Sequence, residues 1–349
     1  MRKLIFFSLS LLIGLILFFI AFKKIGAENI ISAVSAISSW QFIFAFGIML
    51  LSFLVGTLRL RIIIKSQSST PVSFLDVLIA RTVGFTINYL TPVIFAGGQP
   101  FKAYIIKERT KASLDKIITS IIISEAIFLS ILFFFIVSGV LFLFLSFNLP
   151  FIFEIIISGI TLFCFLIFCL FYSRIIRKSP DKKGFFTSFI EFLHLDKVDL
   201  INEAKTKIAD IEREIFYFFK HQRAKLIIIS FLTLLEILLL IFSYWLIILF
   251  LGSVLNFKEL ISINALINLV YFLPIPAALG SFEWSQALIF DIFGLNLNTG
   301  IAFSLIVRCL SLIMAGIGIL LLIHFEIKTL AEKSGATIQK FISTLKTES

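Results

Sequence analysis

The chain has few charged residues for its length. Asp, Glu, Lys and Arg make up 15% of its 349 residues, whereas soluble domains carry about 25%. Hydrophobic residues make up 59% of the chain, and the mean hydropathy is +1.08. So large an apolar excess needs an apolar solvent. The composition therefore excludes a soluble globular protein and predicts an all-α integral membrane protein.

Cysteine and histidine are also scarce. Cys164, Cys169 and Cys309 lie within apolar runs and form no CxxC pair, and the three histidines form no HExxH or similar site. This pattern argues against a metal centre or a disulfide, and we expect no cofactor. No phosphate loop of the GxxxxGK type is present, so nothing in the sequence indicates ATP as the energy source.

Acidic residues are outnumbered by basic ones, which gives a formal net charge of +10. On a soluble protein this charge would suggest nucleic acid as a partner. No nucleic-acid recognition fold fits between the apolar runs, however, and the cytoplasmic loops of membrane proteins collect Lys and Arg. We therefore expect no nucleic-acid partner.

Long apolar runs divide the chain into predicted membrane spans. A run of about 20 residues is long enough to cross the hydrocarbon core. Six segments qualify, at roughly 4–22, 40–58, 117–146, 151–172, 226–251 and 301–324. The first follows Arg2 and Lys3 as a signal peptide would, but it lacks a convincing small-residue cleavage site, so we expect it to be retained.

Two further apolar stretches, roughly 75–96 and 260–293, are interrupted by proline and glycine. The interruptions are Thr91-Pro92, Gly97-Gly98-Gln99-Pro100, Pro274-Ile275-Pro276 and Gly280-Ser281. Non-helical backbone at membrane depth is tolerated where protein or a water-filled cavity covers it. The stretches therefore predict re-entrant hairpins or broken helices, although such residues can also merely kink packed helices.

The distribution of Lys and Arg predicts the orientation. If only the six clear segments cross the membrane and the N-terminus is cytoplasmic, most of the Lys and Arg residues face the cytoplasm. We therefore expect a multi-pass protein of the cytoplasmic (inner) membrane with both termini inside. Residues 1–330 would form the membrane domain, and 331–349 would form a cytoplasmic tail.

The segment 174–224 is the only sizeable polar part of the predicted membrane domain. Lys and Glu alternate there with Ile and Phe, which favours one or two amphipathic helices on the cytoplasmic leaflet. A solvated linker helix is an equally good interpretation. The segment is too short for a catalytic domain.

The two halves of the chain resemble each other at an offset of 183 residues. This offset places Phe74 on Phe257, Leu90 on Leu273 and Gly97 on Gly280. With the predicted orientation, the first broken stretch enters from the cytoplasm and the second from outside, so the repeats would be inverted. Inverted repeats with broken helices are typical of transporters, in which the breaks mark the substrate site.

Ionisable residues inside spans are costly, and each is a candidate site residue. Glu125, Arg308 and Glu236 lie in apolar surroundings, and the offset places Glu125 on Arg308. We expect these two to meet, either as a gate or head-group contact in which Arg308 attracts a phosphate, or as a structural ion pair. Arg81 lies near a predicted helix end, so we expect it to extend to the membrane surface.

The helices that follow the breaks offer a second type of site. Ser281 is expected to be the N-cap and Glu283 to lie in the first turn, while Pro100 opens the helix after Gly97-Gly98. Free backbone N–H groups at the two helix starts would be suited to hold a phosphate.

At these residues the chain resembles a known family, the flippase-like transmembrane domain of the lysylphosphatidylglycerol synthases (multiple peptide resistance factors) and their stand-alone relatives. The matching motifs are Leu90-Thr91-Pro92 through Gly97-Gly98-Gln99-Pro100-Phe101-Lys102, Leu273-Pro274-Ile275-Pro276 through Gly280-Ser281-Phe282-Glu283, and Arg308. The resemblance covers nearly the whole chain. It implies an all-helical membrane domain with paired re-entrant segments, which in the synthases moves an aminoacylated lipid between leaflets. Because the chain ends at Ser349, we expect no soluble aminoacyl-transferase domain.

We therefore expect a flippase-like transporter of a phospholipid or polyprenyl-linked lipid, with membrane lipids, chiefly anionic head groups, as its partners. The predicted substrate pathway comprises Glu125, Arg308, Glu236, Glu283, Gly97, Gly98, Pro100, Lys102, Pro274, Pro276, Gly280 and Ser281. One alternative is a membrane-embedded lipid-phosphate or lipid-sugar transferase. Another is a non-catalytic subunit that docks a cytoplasmic partner through 174–224, and a homo-oligomer is also compatible with the sequence.

Overall fold

The computed structural model describes residues 35–68, 70–90, 97–147, 151–177, 199–271 and 281–347. All regular secondary structure in these ranges is helical, as the sequence predicts. The helices are α1 (Ser39–Gln67), α2 (Phe74–Leu90), α3 (Gln99–Arg109), α4 (Leu114–Ser146), α5 (Phe151–Arg177), α6 (Asp199–His221), α7 (Arg223–Phe250), α8 (Phe257–Tyr271), α9 (Ser281–Ile292) and α10 (Leu297–Thr347).

Four of these helices are long and apolar enough to cross a membrane: α1, α4, α7 and the Leu297–His324 part of α10. They coincide with four of the six predicted spans. Helix α5 contains a shorter apolar stretch, Glu154–Leu170, and the predicted span at 4–22 lies outside the described residues. Large apolar side chains point outward, such as Phe134 and Leu145, which are 68% and 82% exposed. The chain is a multi-pass helical membrane protein.

Each of the two interrupted stretches contains two separate helices. Helix α2 ends at Leu90 and α3 begins at Gln99, while α8 ends at Tyr271 and α9 begins at Ser281. With 11 residues, α3 is about 17 Å long, little more than half of the roughly 30 Å hydrocarbon core. Helix α2 packs against α3, and α8 packs against α9. Each break therefore produces a pair of contacting helices that includes one too short to span the membrane.

The residues at the two helix starts follow the sequence expectations in part. Gly98 is the N-cap of α3 and Pro100 lies in its first turn, where proline is favoured because its missing N–H would have no partner. Glu283 lies in the first turn of α9. Ser281 was expected as the N-cap but is already the first helical residue of α9. The predicted breakers Pro92, Pro274, Pro276 and Gly280 lie outside the described residues.

The helices of the first set, α1 to α4, interlock with those of the second set, α7 to α10. Helix α1 packs on α7, α2 packs on α10, and α8 packs on α4. The order of a long helix, two contacting shorter helices and a second long helix occurs in both sets. Each short pair thus packs against a long helix of the other set, which ties the two sets into one bundle.

Small residues bring the helices of the two sets close together. Gly139 of α4 lies against the Ile261 carbonyl oxygen and Ala265 of α8, and the Ser262 hydroxyl donates to the Gly139 carbonyl oxygen at 2.9 Å. Gly318 of α10 likewise lies against α2. Since lipid tails are as apolar as the helices, such close packing and interhelical hydrogen bonds are what hold membrane helices together.

Helix α6 forms the C-terminal part of the segment 174–224. Its buried Ile215 and Phe218 pack in one apolar cluster with Ile63, Ile123 and Ile229 of α1, α4 and α7. This end of α6 therefore buries apolar side chains, whereas the position of the segment 174–224 on the cytoplasmic leaflet stays a prediction. This part of its apolar face covers the bundle and does not rest on lipid, because the bundle offers an apolar surface at that point.

Helix α10 continues well beyond the predicted last span. It runs without interruption from Leu297 to Thr347, so the segment predicted as a tail from 331 is helical as far as 347.

We predict that Gly139→Ala destabilises the bundle. The added methyl group would collide with the backbone of α8, and overpacking of this kind costs about 1–3 kcal/mol, which exceeds the gain of up to about 1 kcal/mol from helix propensity. The measurement is the melting temperature of purified protein in detergent.

The matched control is Gly159→Ala in α5, where nothing lies within 4 Å of the added atom. This variant should melt at the wild-type temperature or slightly above it. An unchanged melting temperature for Gly139→Ala would contradict the close approach of α4 and α8.

Candidate functional site

A cavity of about 360 Å³ lies within the bundle. Residues of α1 to α4, α7, α8 and α10 line it, so both sets of helices contribute to its wall. Small-molecule sites in proteins have volumes of roughly 300–1,000 Å³. The cavity is therefore large enough for a polar group the size of a lipid head group.

The cavity wall is charged, although the helices that form it are apolar. Its lining includes three basic and two acidic side chains, each from a different helix: Arg59, Arg81, Lys102, Glu125 and Glu236. With all five ionised, the lining carries one excess positive charge. Charges inside membrane helices are costly and mark substrate or ion pathways.

Glu236 of α7 forms ion pairs with two arginines. Its Oε1 lies 2.9 Å from Nη2 of Arg81 on α2, and its Oε2 lies 3.3 Å from Nη2 of Arg59 on α1. Arg59 is 3% exposed and Glu236 is 6% exposed. This triad, Arg59–Arg81–Glu236, therefore joins three helices at the cavity wall.

Neighbouring groups hold the two guanidinium groups in place. Arg59 donates from Nη1 to the Thr233 hydroxyl at 3.2 Å, and its Cζ lies 5.2 Å from the centre of the Phe128 ring. Arg81 donates from Nη1 to the carbonyl oxygen of Phe53 at 3.2 Å and lies over the ring of the same residue. Aromatic faces attract guanidinium groups, most strongly where water is excluded.

A glycine makes room for the triad. An atom at the Cβ position of Gly56 would collide with the Arg81 guanidinium and the Glu236 carboxylate. The absence of a side chain at this position lets the buried ion pair lie directly against the backbone of α1.

Lys102 of α3 pairs with Glu125 of α4 across the same cavity. Its Nζ lies 3.1 Å from Oε1 of Glu125, and its aliphatic part lies against Gly84 of α2. The pair fastens the short helix α3 to the long helix that follows it in the chain.

Arg308 of α10 pairs with Glu283 of α9 through its Nε and donates from Nη1 to the Tyr89 hydroxyl at 3.1 Å. Tyr89 lines the cavity, so this pair reaches the cavity through the tyrosine. The expected contact between Glu125 and Arg308 is replaced by two separate pairs. In each of them a residue of a short helix binds the long helix that follows it.

The start of α3 offers less to an anion than the sequence suggests. The Gly98 amide donates to Oδ1 of Asn88 at 2.6 Å, and Pro100 has no N–H group. At the start of α9, the Glu283 carboxylate already occupies the first turn and would repel a phosphate there. Within the described residues, the basic side chains are therefore better placed for an anion than the helix starts are.

Two cavity residues, Arg59 and Arg81, were missed by the sequence reasoning. Arg59 lies just beyond the predicted span 40–58, but α1 continues to Gln67. The prediction that Arg81 extends to the membrane surface is wrong, because its side chain is 13% exposed and binds Glu236. The spacing of Arg59 and Arg61 could have indicated that one of them faces inward. Residues two apart lie on different faces of a helix, so the two arginines cannot both point the same way if the helix continues past 58.

The remaining polar lining is neutral. Tyr89, Tyr244, Tyr271 and Asn268 supply hydroxyl and amide groups from α2, α7 and α8. Among the described residues, no group of three or more His, Cys, Asp and Glu side chains is arranged to hold a metal ion.

We predict that Glu236→Gln destabilises the protein strongly. The substitution leaves Arg59 and Arg81 as neighbouring buried charges without a counter-charge, and breaking a buried pair in this way costs about 3–5 kcal/mol. The melting temperature in detergent measures the effect. Glu108→Gln, at an exposed position of α3, is the control and should melt as wild type does. Equal melting of the Glu236 variant and wild type would show that the triad does not hold the three helices together.

The chain matches one family of known proteins. A family model described as the lysylphosphatidylglycerol synthase TM region matches residues 7–318, a range that includes both helix breaks and every charged residue of the cavity. No curated protein and no solved structure matches the chain. The matched range covers most of the sequence, and the chain belongs to the family of the lysylphosphatidylglycerol synthase transmembrane region.

Proposed function

We propose that the protein moves a phospholipid or a polyprenyl-linked lipid between the two leaflets of the membrane. The observation that carries this proposal is the charged cavity, with five ionisable side chains in its wall inside a bundle of apolar helices. A lipid head group crosses hydrocarbon slowly because its charges must leave water, and a cavity of this kind supplies polar partners along the way.

The size of the cavity suits a head group and excludes a complete lipid with two acyl chains. In this mechanism the head group occupies the cavity while the acyl chains stay between the helices or in the surrounding bilayer. The apolar part of the lining, which includes Met49, Phe85 and Leu240, would contact the start of the chains.

We further propose that α1–α4 and α7–α10 are inverted repeats, each with one re-entrant pair of helices. Two findings support the repeat: the same order of helices in both sets and the crossed packing of α2 on α10 and α8 on α4. The ion pairs Lys102–Glu125 and Glu283–Arg308 occupy corresponding places in the two sets, with the charges reversed. Rocking of one repeat against the other would open the cavity to each leaflet in turn.

The proposed setting is the cytoplasmic membrane, with six spans and both termini inside, and with no chemical reaction performed by this membrane domain. The positive-inside distribution of Lys and Arg supports the orientation. A docking role for the segment 174–224 is a weaker proposal, because the C-terminal part of the apolar face of α6 already packs on the bundle.

We predict that purified protein in proteoliposomes moves fluorescent phospholipid or polyprenyl-phosphate probes between leaflets. The double variant Lys102→Met with Glu125→Leu should reduce the rate at least about tenfold. Both charged side chains are then missing from the cavity wall, and the head group loses its polar contacts with them. Because both charges are removed together, the fold should be retained: apolar replacement of a buried pair is often neutral or stabilising.

The matched control is Arg109→Met with Asp76→Leu. This double variant removes an ion pair between α3 and α2 that lies outside the cavity lining, and it should move lipid at the wild-type rate. Wild-type rates in the Lys102 and Glu125 variant would contradict a pathway through the cavity. An absence of movement with every probe in folded wild-type protein would contradict the proposed function and favour a transferase or a partner-dependent role.

A further inference from the structure

The excess charge of the cavity can be assigned to one group of residues. Lys102 and Glu125 balance each other as a pair, whereas Glu236 is the single carboxylate between Arg59 and Arg81. The one positive charge in excess therefore belongs to the triad. A buried charge without a counter-charge is costly, and it favours an anion from outside the chain as its partner.

Arg59 also has an unused hydrogen-bond donor. Its Nε is buried and has no hydrogen-bond partner among the described residues, and the whole residue is 3% exposed. The guanidinium is otherwise anchored by Thr233 and Glu236. A buried donor without an acceptor is unfavourable, so an acceptor supplied by a ligand would complete the coordination of this side chain.

The other charged pairs lack this combination of features. Lys102 has a carboxylate of its own, and Arg308 is held by Glu283 and by the Tyr89 hydroxyl. The sequence predicted that Arg308 attracts a phosphate. In the structure Arg308 is bound to Glu283 and to the Tyr89 hydroxyl, and Tyr89 lies between it and the cavity. Arg59, which directly lines the cavity, combines burial, an unpartnered donor and a share in an excess charge.

We propose that the Arg59–Arg81–Glu236 triad is the subsite for the phosphate of the transported lipid. Arginine suits this role because its planar fork of N–H groups matches phosphate oxygens and because it is less strongly hydrated than an ammonium group. Glu236 acts as a positioning residue, since it holds two guanidinium groups side by side against their mutual repulsion. The proposal rests on the proposed lipid transport for the source of the phosphate.

The charge of the triad also sets the class of lipid. A head group with one phosphate and otherwise uncharged hydroxyl groups places its anion on the triad, and its hydroxyls can bond Tyr89, Tyr244 or Asn268. A zwitterionic head group brings a cation into a cavity that already has a positive excess. The head group of lysyl-phosphatidylglycerol, with one phosphate and two ammonium groups, has a net positive charge. The order of preference is therefore anionic, then zwitterionic, then cationic lipid.

The test is lipid binding to the full chain in detergent, followed as the rise in melting temperature during titration. The probes are phosphatidylglycerol, phosphatidylcholine, lysyl-phosphatidylglycerol and inorganic phosphate. Wild type should bind phosphatidylglycerol about tenfold or more tightly than phosphatidylcholine. Both lipids offer a phosphate to the triad, but the choline cation is repelled by the excess positive charge of the cavity. Lysyl-phosphatidylglycerol should bind least tightly.

The decisive variant is Arg59→Gln. It leaves Arg81 and Glu236, 2.9 Å apart, as a balanced ion pair, so the protein should fold. The variant should bind phosphatidylglycerol and phosphatidylcholine about equally. Arg59→Lys keeps the charge and should keep part of the preference. The matched control is Arg61→Gln, two residues along α1, where Arg61 donates to the Val72 carbonyl oxygen and does not line the cavity.

The outcomes separate the proposal from its alternatives. Equal binding of the lipids by wild type, or a preference that survives Arg59→Gln, would overturn the subsite. If inorganic phosphate raised the melting temperature as much as phosphatidylglycerol does at the same concentration, the triad would be a site for a free anion. That result would contradict the proposal that the bound phosphate belongs to a lipid. Because binding is measured without transport, a protein that binds as predicted but moves no lipid would fail the proposed function alone.

Discussion

The architecture depends on how a single carboxylate, that of Glu236, is shared by two arginines inside an apolar bundle. The carboxylate joins α7 to α1 and α2, and Gly56 leaves the space in which the three side chains meet. Removing any member leaves a different balance of buried charge, so the triad fixes the positions of three helices and the electrostatic character of the cavity together. Helix packing and the proposed function therefore rest on the same atoms.

Two further ion pairs play a related role for the short helices. An 11- or 12-residue helix has little apolar surface with which to hold its place, and α3 and α9 are each fastened by a charged side chain to the long helix that follows. Lys102 binds Glu125, and Glu283 binds Arg308. The acid lies on the long helix in one set and on the short helix in the other, so corresponding positions carry opposite charges.

This reversal explains what the sequence could and could not predict. The apolar runs predicted the long helices and the Pro and Gly residues predicted the breaks, because both signals are local. The offset of 183 residues matched Glu125 with Arg308, which lie on the last long helix of each set, but such a match does not imply contact. Arg59 was missed because a helix that continues past its apolar run looks, in sequence, like a helix that ends. Pairing across the bundle depends on packing angles, which no local pattern contains.

The most direct measurement of the central claim, that the cavity admits lipid and selects it by charge, is photocrosslinking from inside the cavity. A photoreactive phenylalanine analogue at Phe128, beside Arg59, would be compared with one at Phe134, which is 68% exposed on the same helix, in membranes of mixed lipids. We expect mass spectrometry to find adducts enriched in anionic lipid at position 128 and adducts of average membrane composition at position 134. No lipid adduct at position 128, or the same lipid composition at both positions, would contradict the claim.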